Sequence, residues 1–192
     1  MTADTPFRIL AVCTGNICRS PMAERLLQSA LTRIAPGEFE VSSAGTGALV
    51  GNPIDPQVAG FVRVFDADSE GFRARQLEER LLDGKDLVLT LTRDHRSRVI
   101  EMAPSLLRRT FTLREFARLL NDLEGDPSLT GPMRWRSIMP KVVRARTIHP
   151  SDPSHDDVVD PYRRPDAVYQ QMVRELVPAV KTLVDWEYNH RL

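Results

Sequence analysis

Residues 13–21 read "CTGNICRSP", between the apolar run "FRILAV" and the stretch "MAERLLQSALTRI". A short apolar run ahead of a glycine turn is a buried strand. The stretch beyond the turn carries helix signals: Ser20 as a good N-cap, Pro21 at the first helical position and Glu24 in the first turn. The spacing predicts a helix from Ser20, with Met22, Leu26, Leu27, Ala30, Leu31 and Ile34 on its inner face and Pro36-Gly37 at its end. A strand feeding a helix through so tight a turn is the opening unit of a parallel α/β sheet. In such sheets ligands sit beyond the carboxyl ends of the strands, where this loop lies.

The rest of the chain repeats the alternation. "FEVSSAG" reads as a second strand running into the Gly/Pro loop "GTGALVGNPIDP", and residues 56–65 as helical. "ARQLEERLL" is a helix candidate, and "DLVLTL" is the clearest central strand. "RDHRSRVIEMA" is a helix broken by Pro104, "RRTFTL" a fourth strand and "REFARLLNDL" a helix. Residues 166–188 form a final amphipathic helix that Pro178 is expected to bend. The fold class is therefore α/β: a four-stranded parallel sheet with helices on both faces and the loop 13–20 after strand one. With 192 residues the chain suits one domain, 1–192. Residues 123–159 fit the alternation least. They hold Pro127, Pro132, Pro140, Pro150 and Pro153 and are expected as a surface insertion, ordered only in part. Between 131 and 149 stand Arg134, Arg136, Lys141, Arg144 and Arg146 with no acidic residue. That strip is either a basic lip for acidic partners, anchored by Trp135, or a solvated loop.

Charge and cysteine content narrow the functional classes. Lys plus Arg and Asp plus Glu number 26 each, which argues against nucleic acid or a membrane surface as partner. No apolar segment is long enough for a bilayer and no signal peptide is evident. The only two cysteines, Cys13 and Cys18, share one loop. That is no disulfide framework, and the expected setting is a reducing cytoplasm.

Gly15 and Asn16 both tolerate positive φ, as a tight cradle requires. A turn of this kind at a helix start aims several backbone N–H groups at one point. Arg19 adds a planar guanidinium able to hold two oxygens of a tetrahedral oxyanion. Thr14, Gly15, Asn16, Ile17, Cys18 and Ser20 are the candidate residues around that oxyanion. The positive field should make Cys13 a thiolate near neutral pH, and a thiolate facing a phosphoryl group is a nucleophile. Ser20 is placed to hydrogen-bond the sulfur. A cysteine after a strand is usually inert packing, and Arg-Ser before a helix is often only a cap. The combination of Cys13, five intervening residues, Arg19 and Ser20, with Gly-Asn inside, outweighs both readings. Cys18 either forms a reversible disulfide with Cys13 or fills space beneath the loop.

"VCTGNICRSPMAE" resembles the phosphate-binding loop of the low-molecular-weight protein tyrosine phosphatase family. "VSSAGTG", "ARQL" with "DLVLTLTRDH", and "DPYRRP" before the last helix resemble further segments of it. The resemblance spans residues 7 to about 120 and 160 to 188. It implies Cys13 as nucleophile, Arg19 as phosphate ligand and Asp160 as general acid, with no metal and no cofactor. It also implies that Asn16 and Ser43 brace the loop and that Tyr162 lines the mouth. Four Asp-Pro pairs occur, at Asp55, Asp126, Asp152 and Asp160. Only Asp160 precedes a tyrosine just before the last helix, and Asp152 is the reserve.

Three positions depart from the family pattern. Leu49 stands where an aromatic residue is usual, Phe72 where a histidine supports the loop asparagine, and Thr92 where an acidic residue follows the central strand. The family is also usually shorter. The expected function is hydrolysis of phosphotyrosine in proteins through a phosphocysteine, with a phosphorylated protein as partner. Alternatives are arsenate reduction with a small thiol, or a phosphate- or phosphoprotein-binding module with little turnover. His149 and His155 lie near Asp152, Asp156 and Asp157, but their spacing matches no zinc pattern. His95 is expected on the surface of its helix.

Overall fold

The computed structural model describes residues 5–148 and 152–191. The central sheet is built from β1 (Phe7–Cys13), β2 (Phe39–Gly45), β3 (Leu87–Thr90) and β4 (Thr110–Thr112) in the order β2-β1-β3-β4, all parallel. Among the described residues seven α-helices connect and cover it: α1 (Arg19–Ile34), α2 (Pro56–Val64), α3 (Glu79–Leu82), α4 (Arg93–Met102), α5 (Leu113–Asn121), α6 (Gly131–Ile148) and α7 (Asp166–Asn189). Side chains alternate across a strand. Phe7, Ile9, Ala11 and Cys13 point into a core shared with α1, α5, α6 and α7, and Leu10 and Val12 into a smaller one with Leu82 and Val99. Both faces are covered, so β1 carries almost no polar residue. The α/β class expected from the alternation is the fold observed.

Three elements differ from the sequence reading. The first helix begins at Arg19, with Cys18 at its N-cap and no side-chain cap, so Ser20 lies inside the helix and Glu24 beyond its first turn. The Ser20 hydroxyl faces the Cys13 sulfur instead of capping. Residues 74–78 are not helical: Gly45 N–H donates to the Arg75 carbonyl at 3.0 Å and Leu77 N–H to the Gly45 carbonyl at 2.7 Å. The "ARQL" backbone extends the end of β2, and only Glu79–Leu82 winds into a helix.

The third difference is the expected surface insertion. Residues 131–148 form α6, whose Trp135, Ile138 and Val142 recur at helical spacing and are buried. Trp135 is fully buried, with ring centroids 5.3 Å from Phe7, 5.5 Å from Phe39 and 5.7 Å from Trp186. It is a core residue and not the anchor of a lip. Pro132 did not argue against a helix, because it occupies the second position, where an N–H has no partner to lose. The buried Glu187 of α7 accepts from Arg134 at 2.7 Å and from Trp135 Nε1 at 2.9 Å, which fastens α6 to α7.

Candidate active site

The loop after β1 owes its shape to the segment beyond β2. The carbonyls of Cys13, Thr14, Gly15 and Ile17 accept from the N–H groups of Thr46, Gly47, Leu49 and Asp55, at 2.9–3.1 Å. In a trans peptide the N–H lies opposite its carbonyl. Four carbonyls turned outward therefore turn the N–H groups of Thr14, Gly15, Asn16 and Cys18 inward. Of the two residues that tolerate positive φ, Asn16 adopts it, at 53°, and Gly15 does not. The left-handed turn at Asn16 is held by its side chain, which donates to Ser20 Oγ at 2.9 Å and Ser43 Oγ at 2.8 Å and accepts from Arg75 N–H at 2.9 Å. With Phe72 in place of a histidine, Asn16 still has these three partners. Ser43 Oγ donates in turn to Glu24, whose carboxyl is raised above its ordinary range by burial.

Gly45 sits in β2 directly opposite Cys13. A Cβ there would lie 2.3 Å from the Thr14 carbonyl oxygen, so only glycine lets the loop fold against the strand end.

Cys13 lies at the floor of the ring of amides, its Sγ 3.0 Å from Ser20 Oγ. Because Ser20 Oγ accepts from Asn16, its own proton is free to point at the sulfur; its other acceptor, the Ala44 carbonyl, is farther, at 3.5 Å. Arg19 is nearly buried, and its Nη1 donates to the Val158 carbonyl at 3.2 Å. Its Nη2 lies 2.6 Å from the Asp160 carboxylate, while Nε is buried without a hydrogen-bond partner among the described residues. Cys18 is buried beside the loop, and that burial, reinforced by Asp55, pushes its thiol far up. Both cysteines are free thiols.

The structure separates the four Asp-Pro aspartates. Asp55 caps α2. Asp126 and Asp152 accept from Ser128 and Ser154, each two residues on, as in tight turns. Only Asp160 reaches Arg19, and its segment is anchored on several sides. Val158 N–H donates to the Leu91 carbonyl at 2.8 Å, and Arg93 N–H to Asp157 at 2.8 Å. Val159 N–H donates to Glu175 at 2.8 Å. A cleft of about 130 Å³ opens above Cys13, walled by Ile17, Leu49 and Tyr162 with Asp160 at its rim.

His95, expected on the surface, is instead buried against the loop. Its Nε2 lies 2.8 Å from Thr14 Oγ1 and its Nδ1 2.8 Å from Thr92 Oγ1. Burial and the nearby Arg19 guanidinium lower its pKa to about 4, so the ring is neutral near pH 7. The sequence signal was present but slight: Thr92 is a good N-cap two residues after β3, which puts His95 in the first turn of α4, near the carboxyl end of that strand. His155 is exposed, and His149 lies outside the described residues. Among the described residues no group of three His, Cys, Asp or Glu side chains is placed to hold a metal ion, and no helix is long and apolar enough to cross a membrane.

The model of the family described as low molecular weight phosphotyrosine protein phosphatase matches residues 8–142. The low molecular weight protein-tyrosine-phosphatase Wzb of Escherichia coli K12 is 49% identical over 98 residues, 51% of this chain and 63% of Wzb, so the chain spans less than two thirds of that relative. A protein-arginine-phosphatase of Geobacillus stearothermophilus is 37% identical over 111 residues, 58% of this chain and 72% of that protein. The solved low molecular weight protein tyrosine phosphatase of T. tengcongensis superimposes with a TM-score of 0.67 at 28% identity, covering 93% of this chain and 97% of that one.

Proposed function

The chain belongs to the low molecular weight phosphotyrosine protein phosphatase family, and from that premise we propose that it hydrolyses phosphotyrosine in proteins through a phosphocysteine on Cys13. The observation that carries this reading is the inward turn of four loop amides around the Cys13 sulfur, with the Arg19 guanidinium beside them. A phosphoryl group seated there meets donors already in place, which stabilises charge on its equatorial oxygens. The unpartnered Arg19 Nε gains an acceptor.

In the first step Cys13 Sγ bonds to phosphorus, the bond to the phenolic oxygen breaks, and Asp160 gives that oxygen its proton. In the second, water attacks phosphorus, Asp160 takes the water's proton, and the P–S bond breaks. Ser20 donates a hydrogen bond to the departing thiolate. Asp160 must first release Arg19 Nη2, since a bidentate hold on the phosphoryl group needs that nitrogen. His95 acts as a positioning residue: it holds the Thr14 side chain and so the first peptide of the cradle.

The cleft favours an aromatic ring. Its walls, Ile17, Leu49 and Tyr162, are apolar or aromatic, and the carboxylate at its mouth is Asp160. A phosphorylated guanidine would bring several N–H donors into that largely apolar wall, where Asp160 and the Tyr162 hydroxyl are the side-chain acceptors. The test is parallel turnover of p-nitrophenyl phosphate, a phosphotyrosine peptide, a phosphoarginine peptide, and arsenate with a small thiol. Phosphotyrosine should lead in kcat/KM, and Cys13→Ser should abolish turnover while orthovanadate still binds. Preference for phosphoarginine or arsenate, or tight phosphopeptide binding without turnover, would replace the reading.

A further inference from the structure

Three of the five basic side chains of α6 are neutralised inside the fold: Arg134 by Glu187, Arg136 by Asp86 and Arg146 by Glu115. Rather than bordering the catalytic cleft, this helix bounds a second cavity of about 370 Å³, against about 130 Å³ for the cleft. Cavities of that size take small organic molecules.

The cavity lies at the far end of the sheet. Phe7, which opens β1, lines it, and Cys13 closes the same strand. Six residue steps of about 3.3 Å put roughly 20 Å between them. Asp86 and Arg109, just ahead of β3 and β4, mark the same edge.

Its two walls differ in chemistry. Met139 and Val143 pack one side on the core and leave the other to the cavity. Pro140 puts ring carbons where a helix ordinarily carries an N–H, and it stands exposed inside α6, where a proline weakens the helix. The other wall carries Arg108 and Arg109, both exposed. Neither forms an ion pair among the described residues; Arg109 gives one hydrogen bond to the Lys85 carbonyl at 3.3 Å. The lining's one carboxylate, Asp86, is gripped by Arg136 Nε at 3.0 Å and Nη2 at 3.1 Å. Two uncompensated guanidinium charges therefore share a cavity with an apolar wall, in a chain whose formal net charge is zero.

We propose that this cavity is a second, non-catalytic binding site for a small organic anion, with its acid group on Arg108 and Arg109 and its apolar body against Met139, Pro140 and Val143. The guanidinium groups supply charge-assisted hydrogen bonds, and the wall gives the affinity that charge alone lacks in water.

The experiment is fluorescence titration of the full chain with 8-anilinonaphthalene-1-sulfonate, the catalytic cleft saturated with orthovanadate. One saturable site is expected, weakened by added salt. Its uncharged analogue, N-phenyl-1-naphthylamine, should bind about tenfold more weakly. Arg108→Ala with Arg109→Ala should cost the sulfonate about tenfold in affinity and Met139→Asp at least as much, while p-nitrophenyl phosphate turnover, read as the check on folding, stays that of the wild type. Loss of dye binding once orthovanadate fills the cleft would overturn the proposal, as would equal binding of both dyes, unchanged affinity in the double arginine variant, or non-saturable uptake.

Discussion

The Asp160 carboxylate stands 2.6 Å from Arg19 Nη2, where a phosphoryl oxygen would have to bind. The same aspartate is thus placed both to protonate a leaving group and to compete with the oxyanion for its arginine. Asp160→Asn should therefore have opposite effects on two measurements. Turnover of a phosphotyrosine peptide should fall by about 10²- to 10⁴-fold, the usual worth of a general acid. Competitive inhibition by inorganic phosphate should tighten several-fold, because an anionic competitor has gone. A fully active Asp160→Asn with an inactive Asp152→Asn would reassign the acid.

His95 carries the clearest pH signature. Unfolded, it binds a proton below about pH 6.5; folded, burial and Arg19 hold that pKa at about 4. Between those values the unfolded chain binds more protons, so stability is full above pH 6.5 and declines on acidification toward pH 4, by up to about 3 kcal/mol. Urea unfolding at pH 7 and pH 4.5 should show a steeper loss for the wild type than for His95→Gln. Equal slopes would mean that the histidine is not held neutral. His95→Ala should also lower kcat for p-nitrophenyl phosphate by about tenfold, with partial rescue in His95→Gln, whose amide can still reach Thr14.

Gly45→Ala tests the close approach of β2 to the loop. The added methyl would meet the Thr14 carbonyl oxygen at 2.3 Å, and Thr14 would have to move. Loss of most turnover and of orthovanadate affinity is expected from this one carbon, whereas Gly47→Ala, where the nearest contact is 3.8 Å, should retain both. Wild-type kinetics in Gly45→Ala would show the loop to be far more pliant than its hydrogen bonds suggest.

The Arg134–Glu187 pair bears on stability alone. Both side chains are buried, and Glu187 is pushed above its ordinary range by burial despite its arginine. Arg134→Ala leaves that carboxyl uncompensated, with Trp135 Nε1 still donating to it, and should cost about 3–5 kcal/mol in urea unfolding, while Arg134→Met with Glu187→Leu should recover only part of it, since Trp135 Nε1 then loses its acceptor. Turnover by the folded fraction should be unaffected in both. A cost below about 1 kcal/mol for the single variant would show the pair to be screened by water.

What the sequence determined is what lies close along the chain. Cys13, Arg19 and Ser20 fall within eight residues, between an apolar strand run and a helical pattern, so their spacing alone marks the loop, while its hydrogen bonds to residues 46–55 set its shape. The parallel α/β class came likewise from apolar runs alternating with helical periodicity. What only the tertiary structure decided are partnerships between remote segments. His95 meets Thr14 from 81 residues away, and no periodicity on its own helix announces that contact. Residues 74–78 left a helical pattern because Asn16 and Gly45 offered their backbone better partners. The prolines of 131–148 concealed a helix that Trp135 draws into the core, because burying so large a ring outweighs a weak local preference. Local signals choose backbone conformation; burial and hydrogen-bond satisfaction, which depend on the whole chain, choose among the conformations those signals leave open.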